Sequence, residues 1–254
     1  MIPESIRPLL DLVGPSFFKA LPWRDFTAKG TLLLKHLSNS DLNQKKLVIE
    51  DLKKMLAGRN IELSSDLQSI NLPQDPELKK QMGEKILEFY FLQFQNSKGL
   101  FLDLRSNHFK IDGNVLTFEQ SKLWVLLDEH FRLSLLDLYK GYYQNRTDIF
   151  DKGLKGVGLI NSEMNLEQVA KIKGLFIDHF GPGDQTEVRF TTAHFVKTFE
   201  NIFRFILDQK LQISAQFLFL GIYLASLYKT LDSLGVPLDA RKSYLVAAGD
   251  SKVG

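Results

Sequence analysis

The sequence predicts a mainly α protein, a helical bundle interrupted by one small β-hairpin. Three observations lead there. Apolar residues recur at helical spacing along most of the 254 residues, with few β-branched runs. Helix start and stop residues punctuate that pattern, as at Asp75-Pro76 and Gly99. One stretch breaks it: Leu102 to Lys122 (LDLRSNHFKIDGNVLTFEQSK) reads as short strands around Asp112-Gly113-Asn114, a strong hairpin turn.

Composition sets the outer bounds. Hydrophobic residues at 44% and charged residues at 24% are those of a folding globular chain. At this length one main domain is expected, residues 75–254, preceded by an N-terminal helical appendage over residues 1–74. The 32 basic and 30 acidic residues are interspersed, with a net charge of +2, so no basic stripe marks a nucleic-acid surface. Cysteine is absent, which excludes disulfides, thiolate metal sites and cysteine nucleophiles. The start, MIPESIRPLLDLVG, offers an acid, two prolines and a short apolar run where a secretory leader needs a charged and then a long apolar region, so a cytoplasmic protein is expected. The most apolar window, Phe217 to Leu227, is about half the ~20 residues of a membrane-spanning helix and reads as buried core.

In chain order, helices are expected at Ser5–Val13, Pro15–Leu21, Arg24–Leu37 and Asn43–Ala57; Ser40 or Asp41 caps the last and Gly58 ends it. Asn60 to Gln74 has polar punctuation and a proline, and reads as a connection holding at most one short helix. A long helix follows from Pro76 to about Ser97, its apolar face made by Leu78, Met82, Ile86, Phe89, Tyr90 and Phe94. Within the interruption, Leu100–Leu104 and Phe109–Ile111 are expected to pair with Val115–Phe118. Further helices are expected from Glu119 or Gln120 to Tyr143, then at Asp148–Gly156, Asn165–Phe180, Thr191–Asp208, Ser214–Leu234 and Ala240–Ala247, before a frayed tail, GDSKVG.

A long helix, a loop, a hairpin and then only helices is the order of a protein-kinase C-terminal lobe, where the loop before the hairpin carries the catalytic Asp and the turn after it the metal-binding Asp. The segment KILEFYFLQFQNSKGLFLDLRSNHFKIDGNVLTFEQS resembles the corresponding region of the AarF/UbiB family of atypical kinase-like proteins, whose catalytic loop reads G-F-F-H-x-D-x-H-P-G-N. The later segments Ile149–Ile160 and Phe217–Asp239 look like that family's later helices, so the resemblance spans about Pro76 to Tyr244. It places Asp103 at the catalytic-loop Asp. The residues after it depart from the family: Arg105, Ser106, Asn107 and His108 replace its histidine, proline, glycine and asparagine, so His108 stands at the metal-binding Asn. In LTFE, Thr117 stands at the magnesium-binding Asp, Phe118 at the Phe and Glu119 at the Gly; a shift by one offers Glu119 as the ligand. Uncharged threonine is a poor magnesium ligand against nucleotide phosphates. The roughly 75 residues before the first matching helix show neither a glycine-rich phosphate loop nor a V-A-I-K-like lysine strand, so no nucleotide-binding N-lobe is recognisable.

Other constellations carry less. Five histidines, His36, His108, His130, His179 and His194, form no H-E-x-x-H. Asp178-His179 and His194 flank the loop FGPGDQTE, which lacks the preceding strand and the Gly-Lys-Ser/Thr ending of a phosphate cradle and reads as a helix–helix connection. Twenty phenylalanines, among them Phe195, Phe199, Phe203, Phe217 and Phe219 at helical spacing, read first as core and second as the lining of an apolar groove.

The resemblance implies a non-catalytic, pseudokinase-like scaffold, with no cofactor and no metal expected. Its partner would be a protein or a lipid- or quinone-like apolar ligand, with peripheral association at the inner membrane face. The alternatives are a magnesium-dependent ATPase or phosphotransferase of the AarF/UbiB type, with Asp103 as base, and an unrelated helical lipid-binding or regulatory module.

Overall fold

The computed structural model describes residues 7–22, 42–67, 72–121, 123–181 and 187–249. The protein is mainly α. Helices among the described residues are α1 (Arg7–Leu10), α2 (Pro15–Ala20), α3 (Leu42–Leu56), α4 (Pro76–Gln93), α5 (Glu129–Tyr143), α6 (Thr147–Gly156), α7 (Leu166–Phe180), α8 (Thr192–Asp208), α9 (Phe217–Leu234) and α10 (Ala240–Ala248). Strands are β1 (Ile61–Ser64), β2 (Leu100–Phe101), β3 (Phe109–Asp112), β4 (Val115–Glu119) and β5 (Trp124–Val125). The helix expected at Arg24–Leu37, His36 within it, residues 182–186 of the glycine-containing loop, and nearly all of the tail lie outside the described residues.

Two compact units form, one from Met1–Leu33, Leu127–Gln185 and Thr192–Ala225, the other from Leu34–Leu126, Thr186–Thr191 and Ser226–Gly254. The N-terminal stretch to residue 74 supplies α1 and α2 to the first and α3 and β1 to the second.

In the helical unit, α2 begins at Gly14, which has no side chain to cap it. Glu200 of α8 takes over that role: its carboxylate accepts from the Ser16 N–H at 3.2 Å and from the Ser16 hydroxyl at 2.6 Å. Phe17 thereby sits against Phe199 and Phe203, ring centroids 5.5 and 4.8 Å away. The phenylalanines at helical spacing, Phe195, Phe199, Phe203, Phe217 and Phe219, are all buried. Phe199, Phe203 and Phe217 line with Leu135, Tyr139 and Phe176 an apolar cavity of only about 30 Å³. α7 opens on a complete capping box between Asn165 and Gln168, the start expected from the sequence.

The second unit is built on a three-stranded sheet of order β1-β4-β3, with β3–β4 the antiparallel hairpin and β1 parallel to β4. Register puts Ile61, Leu63, Phe109, Ile111, Leu116 and Phe118 on one face, and Glu62, Lys110, Thr117 and Glu119 on the other. α4 covers the apolar face, Phe89 lying 4.7 Å from Phe118 and 6.2 Å from Phe109 by ring centroids. Asp75 caps α4 through the Leu78 N–H, with Pro76 at the first helical position, as the sequence predicts. Gly83 leaves room for Leu238: a Cβ there would lie 2.6 Å from its methyl.

Three expectations need correction. Residues 61–64 are a strand rather than part of an irregular connection, because Ile-Glu-Leu-Ser alternates apolar and polar residues and completes the sheet. Leu100–Phe101 pairs with Trp124–Val125 rather than with Val115–Phe118, since both edges of that strand are already taken by β3 and β1. The following helix therefore starts at Glu129, not Glu119 or Gln120; its N-cap is Asp128, whose carboxylate accepts from the Phe131 N–H.

Candidate functional site

The loop between β2 and β3 is positioned from two sides by buried side chains. On α4, Gln93 accepts from the Phe101 N–H at 2.7 Å and donates to the Phe101 carbonyl at 3.4 Å. On α9, Ser226 accepts from the Leu104 N–H at 3.1 Å and donates to the Leu102 carbonyl at 2.8 Å, while Thr230 donates to the Leu104 carbonyl at 2.7 Å. Ser226 and Thr230 are four residues apart and share one helix face. Three polar side chains thus satisfy backbone groups that would otherwise be buried unpaired. Leu102 and Leu104 are fully buried, and the backbone alternation leaves Asp103 between them as the one acid on the loop.

Asp103 is 4% exposed, and its carboxylate is fully engaged. Arg105 donates through Nε to Oδ1 at 2.8 Å and through its second guanidinium nitrogen to Oδ2 at 2.5 Å, a bidentate fork. The Arg105 backbone N–H also donates to Oδ1, at 3.2 Å. His108, at the end of a 3₁₀ turn (Ser106–His108), reaches Oδ2 with Nε2 at 3.2 Å and the Glu119 carboxylate with Nδ1 at 3.3 Å. The imidazole is therefore clasped between two carboxylates, and only its protonated form donates at both nitrogens.

Burial pushes the Asp103 carboxyl up, but the hydrogen bonds and charges of Arg105 and His108 outweigh it and hold the group well below the usual carboxylate range. For His108, burial pulls the imidazole down; the hydrogen bond and charge of Asp103, then those of Glu119, overcome this and raise it above its ordinary value.

The sequence-predicted residues thus divide. Asp103, Arg105, His108 and Glu119 form one cluster. Thr117 does not join their hydrogen bonds: it sits mid-sheet on the polar face, between Glu62 of β1 and Lys110 of β3. The cluster does not fit a magnesium ion held against nucleotide phosphates, because both Asp103 oxygens already face cations and His108 bridges the two acids. Among the described residues no group of three or more His, Asp or Glu side chains is placed to hold a metal.

The second histidine pair behaves as packing. His179 is buried, and burial with the nearby His194 pushes it down to about 3, so it is neutral; its Nδ1 lies 2.8 Å from the Thr198 hydroxyl. The His194 Nε2 lies 3.3 Å from the His179 backbone carbonyl, an arrangement that turns it to the backbone and not toward a shared ion.

Gln93, Ser226 and Thr230 were not singled out from the sequence. The signal was present: small polar residues at i and i+4 inside FLFLGIYLASLYKTL, apolar but for these two and Lys229, and a glutamine amid FYFLQF. No protein-family model matches the chain, and no curated protein matches it.

Proposed function

We propose that this chain is a non-catalytic, pseudokinase-like scaffold, a degenerate relative of AarF/UbiB-type helical lobes that acts by binding a partner protein. The layout supports it: α4, the loop at residues 102–108, the β3–β4 hairpin and then helices. The observation that carries it is the Asp103 carboxylate. A catalytic-loop Asp must have an oxygen available to a substrate hydroxyl, whereas this one is closed by Arg105 and His108. A protein partner is favoured over a lipid tail because the apolar cavity among the phenylalanines, at about 30 Å³, has room for one or two waters.

The test is ATP turnover by the purified chain with magnesium. The reading expects none above a protein-free blank. Hydrolysis abolished by Asp103→Asn would overturn it in favour of the phosphotransferase alternative, for which the firm anchoring of the loop is the one supporting observation.

A further inference from the structure

The three-stranded sheet leaves β1 at an edge. Its alternation is fixed by the bonds that bracket it: the Leu116 N–H donates to the Asn60 carbonyl at 3.0 Å and the Gln120 N–H to the Ser64 carbonyl at 2.9 Å. In a parallel ladder every second residue faces its neighbour strand, so Asn60, Glu62 and Ser64 turn their peptide groups to β4. Those of Ile61 and Leu63 then point away from the sheet. Among the described residues no backbone group outside the sheet takes them up.

A groove of about 420 Å³ is lined by Lys53 and Leu56 of α3, by Gly58 of the turn after it, and by Ile61, Glu62 and Leu63 of β1. Its chemistry is that of a strand slot. Outward N–H and C=O groups, spaced two residues apart, are matched by an extended backbone and by little else. The sheet's two faces prescribe the side chains of anything that adds there. Positions continuing the face of Ile61 and Leu63 must be apolar, and positions continuing the face of Glu62 must be polar. Beside Glu62, which has uncharged Thr117 on its other side, a basic residue gains a cross-strand charge pair.

We propose that the outer edge of β1, unpaired among the described residues, is the docking site for an extended segment of a partner protein, which joins as a fourth strand with alternating apolar and polar residues and a lysine or arginine beside Glu62. This rests on the scaffold reading and names its site and its partner's chemistry.

The edge geometry supplies a selective variant. Leu63→Pro removes an outward N–H and leaves the bonds of Glu62 and Ser64 to β4 in place, and a strand-edge residue whose N–H faces outward tolerates proline. The experiment is selection from a random twelve-residue peptide display library on the purified full chain. Enriched peptides are then titrated into ¹⁵N-labelled protein and into the Leu63→Pro and Glu62→Lys variants, each first checked by thermal melting. The expected result is enrichment of alternating sequences with a basic residue, amide shifts centred on Ile61 and Leu63, and at least tenfold weaker binding to both folded variants. Three results overturn the proposal: no enrichment, binding whose shifts lie elsewhere and survive both variants, or concentration-dependent self-association that Leu63→Pro abolishes, which assigns the edge to a second copy. Binding elsewhere leaves the scaffold reading standing, whereas magnesium-dependent ATP turnover removes that reading and leaves the edge untouched.

Discussion

At residue scale the account turns on Asp103 and His108. Removing one member of a buried ion pair costs about 3–5 kcal/mol, and somewhat less where the partner keeps water contact. The Arg105 side chain is 22% exposed, so Asp103→Ala is expected to cost about 2–3 kcal/mol, read from urea unfolding. The pH response of His108 follows from its raised pKa. The folded chain binds that proton more tightly than the unfolded one, so the clasp is complete below the unfolded imidazole value of about 6.5 and fades as pH rises through the higher folded value. The stability advantage of the natural chain over His108→Gln should therefore shrink between pH 6 and pH 9; an advantage constant over that range contradicts the clasp. Asp103 runs the opposite way, its contribution present above the unfolded carboxyl value of about 3.9 and lost as pH falls through its depressed folded value. Asp103, Arg105, His108 and Glu119 were singled out from the sequence by a resemblance in the order of elements around them, and the structure brings these four together. The bridging of Asp103 and Glu119 by His108 was not legible, since it depends on a 3₁₀ turn that swings His108 back toward Asp103.

At the scale of elements, close helix packing gives the firmest expectation. Gly141 of α5 faces the Phe150 backbone of α6, and Gly153 of α6 faces the Leu138 backbone of α5; a Cβ at either place meets main-chain atoms. Gly153→Ala is expected to cost about 3 kcal/mol, the upper end of overpacking, because backbone yields less readily than side chain. A change under about 1 kcal/mol in the urea midpoint analysis means that α5 and α6 are not in this contact. On α9, Thr230→Val leaves the Leu104 carbonyl without its donor, for an expected loss of about 1–3 kcal/mol. The long helices were readable because ten or more residues repeat one period, and the cap at Asp75 was readable as well. β2 and β5, at two residues each, are too short to display a period, and the single alternation of β1, Ile-Glu-Leu-Ser, sits within the polar punctuation of residues 60–74. β1 takes the edge of β4 that β3 leaves free, whereas β2 and β5 pair with each other in a separate sheet.

At the scale of the whole molecule, two units each carry their own core, and α9 contributes its first half to one and its second half to the other. That helix is long and apolar enough to cross a membrane by length and composition, yet 83% of it is buried within the protein, and its polar residues Ser226 and Thr230 are bound to the loop that holds Asp103. The mainly α class was legible from periodicity; the division into units was not, because it groups segments far apart in sequence. The central proposal, a scaffold without nucleotide chemistry, is tested most directly by the melting temperature of the purified chain with magnesium and millimolar ATP. A ligand at 100 times its dissociation constant stabilises by about 2.7 kcal/mol. The account predicts an unchanged melting temperature, and a magnesium-dependent rise of several degrees would contradict it.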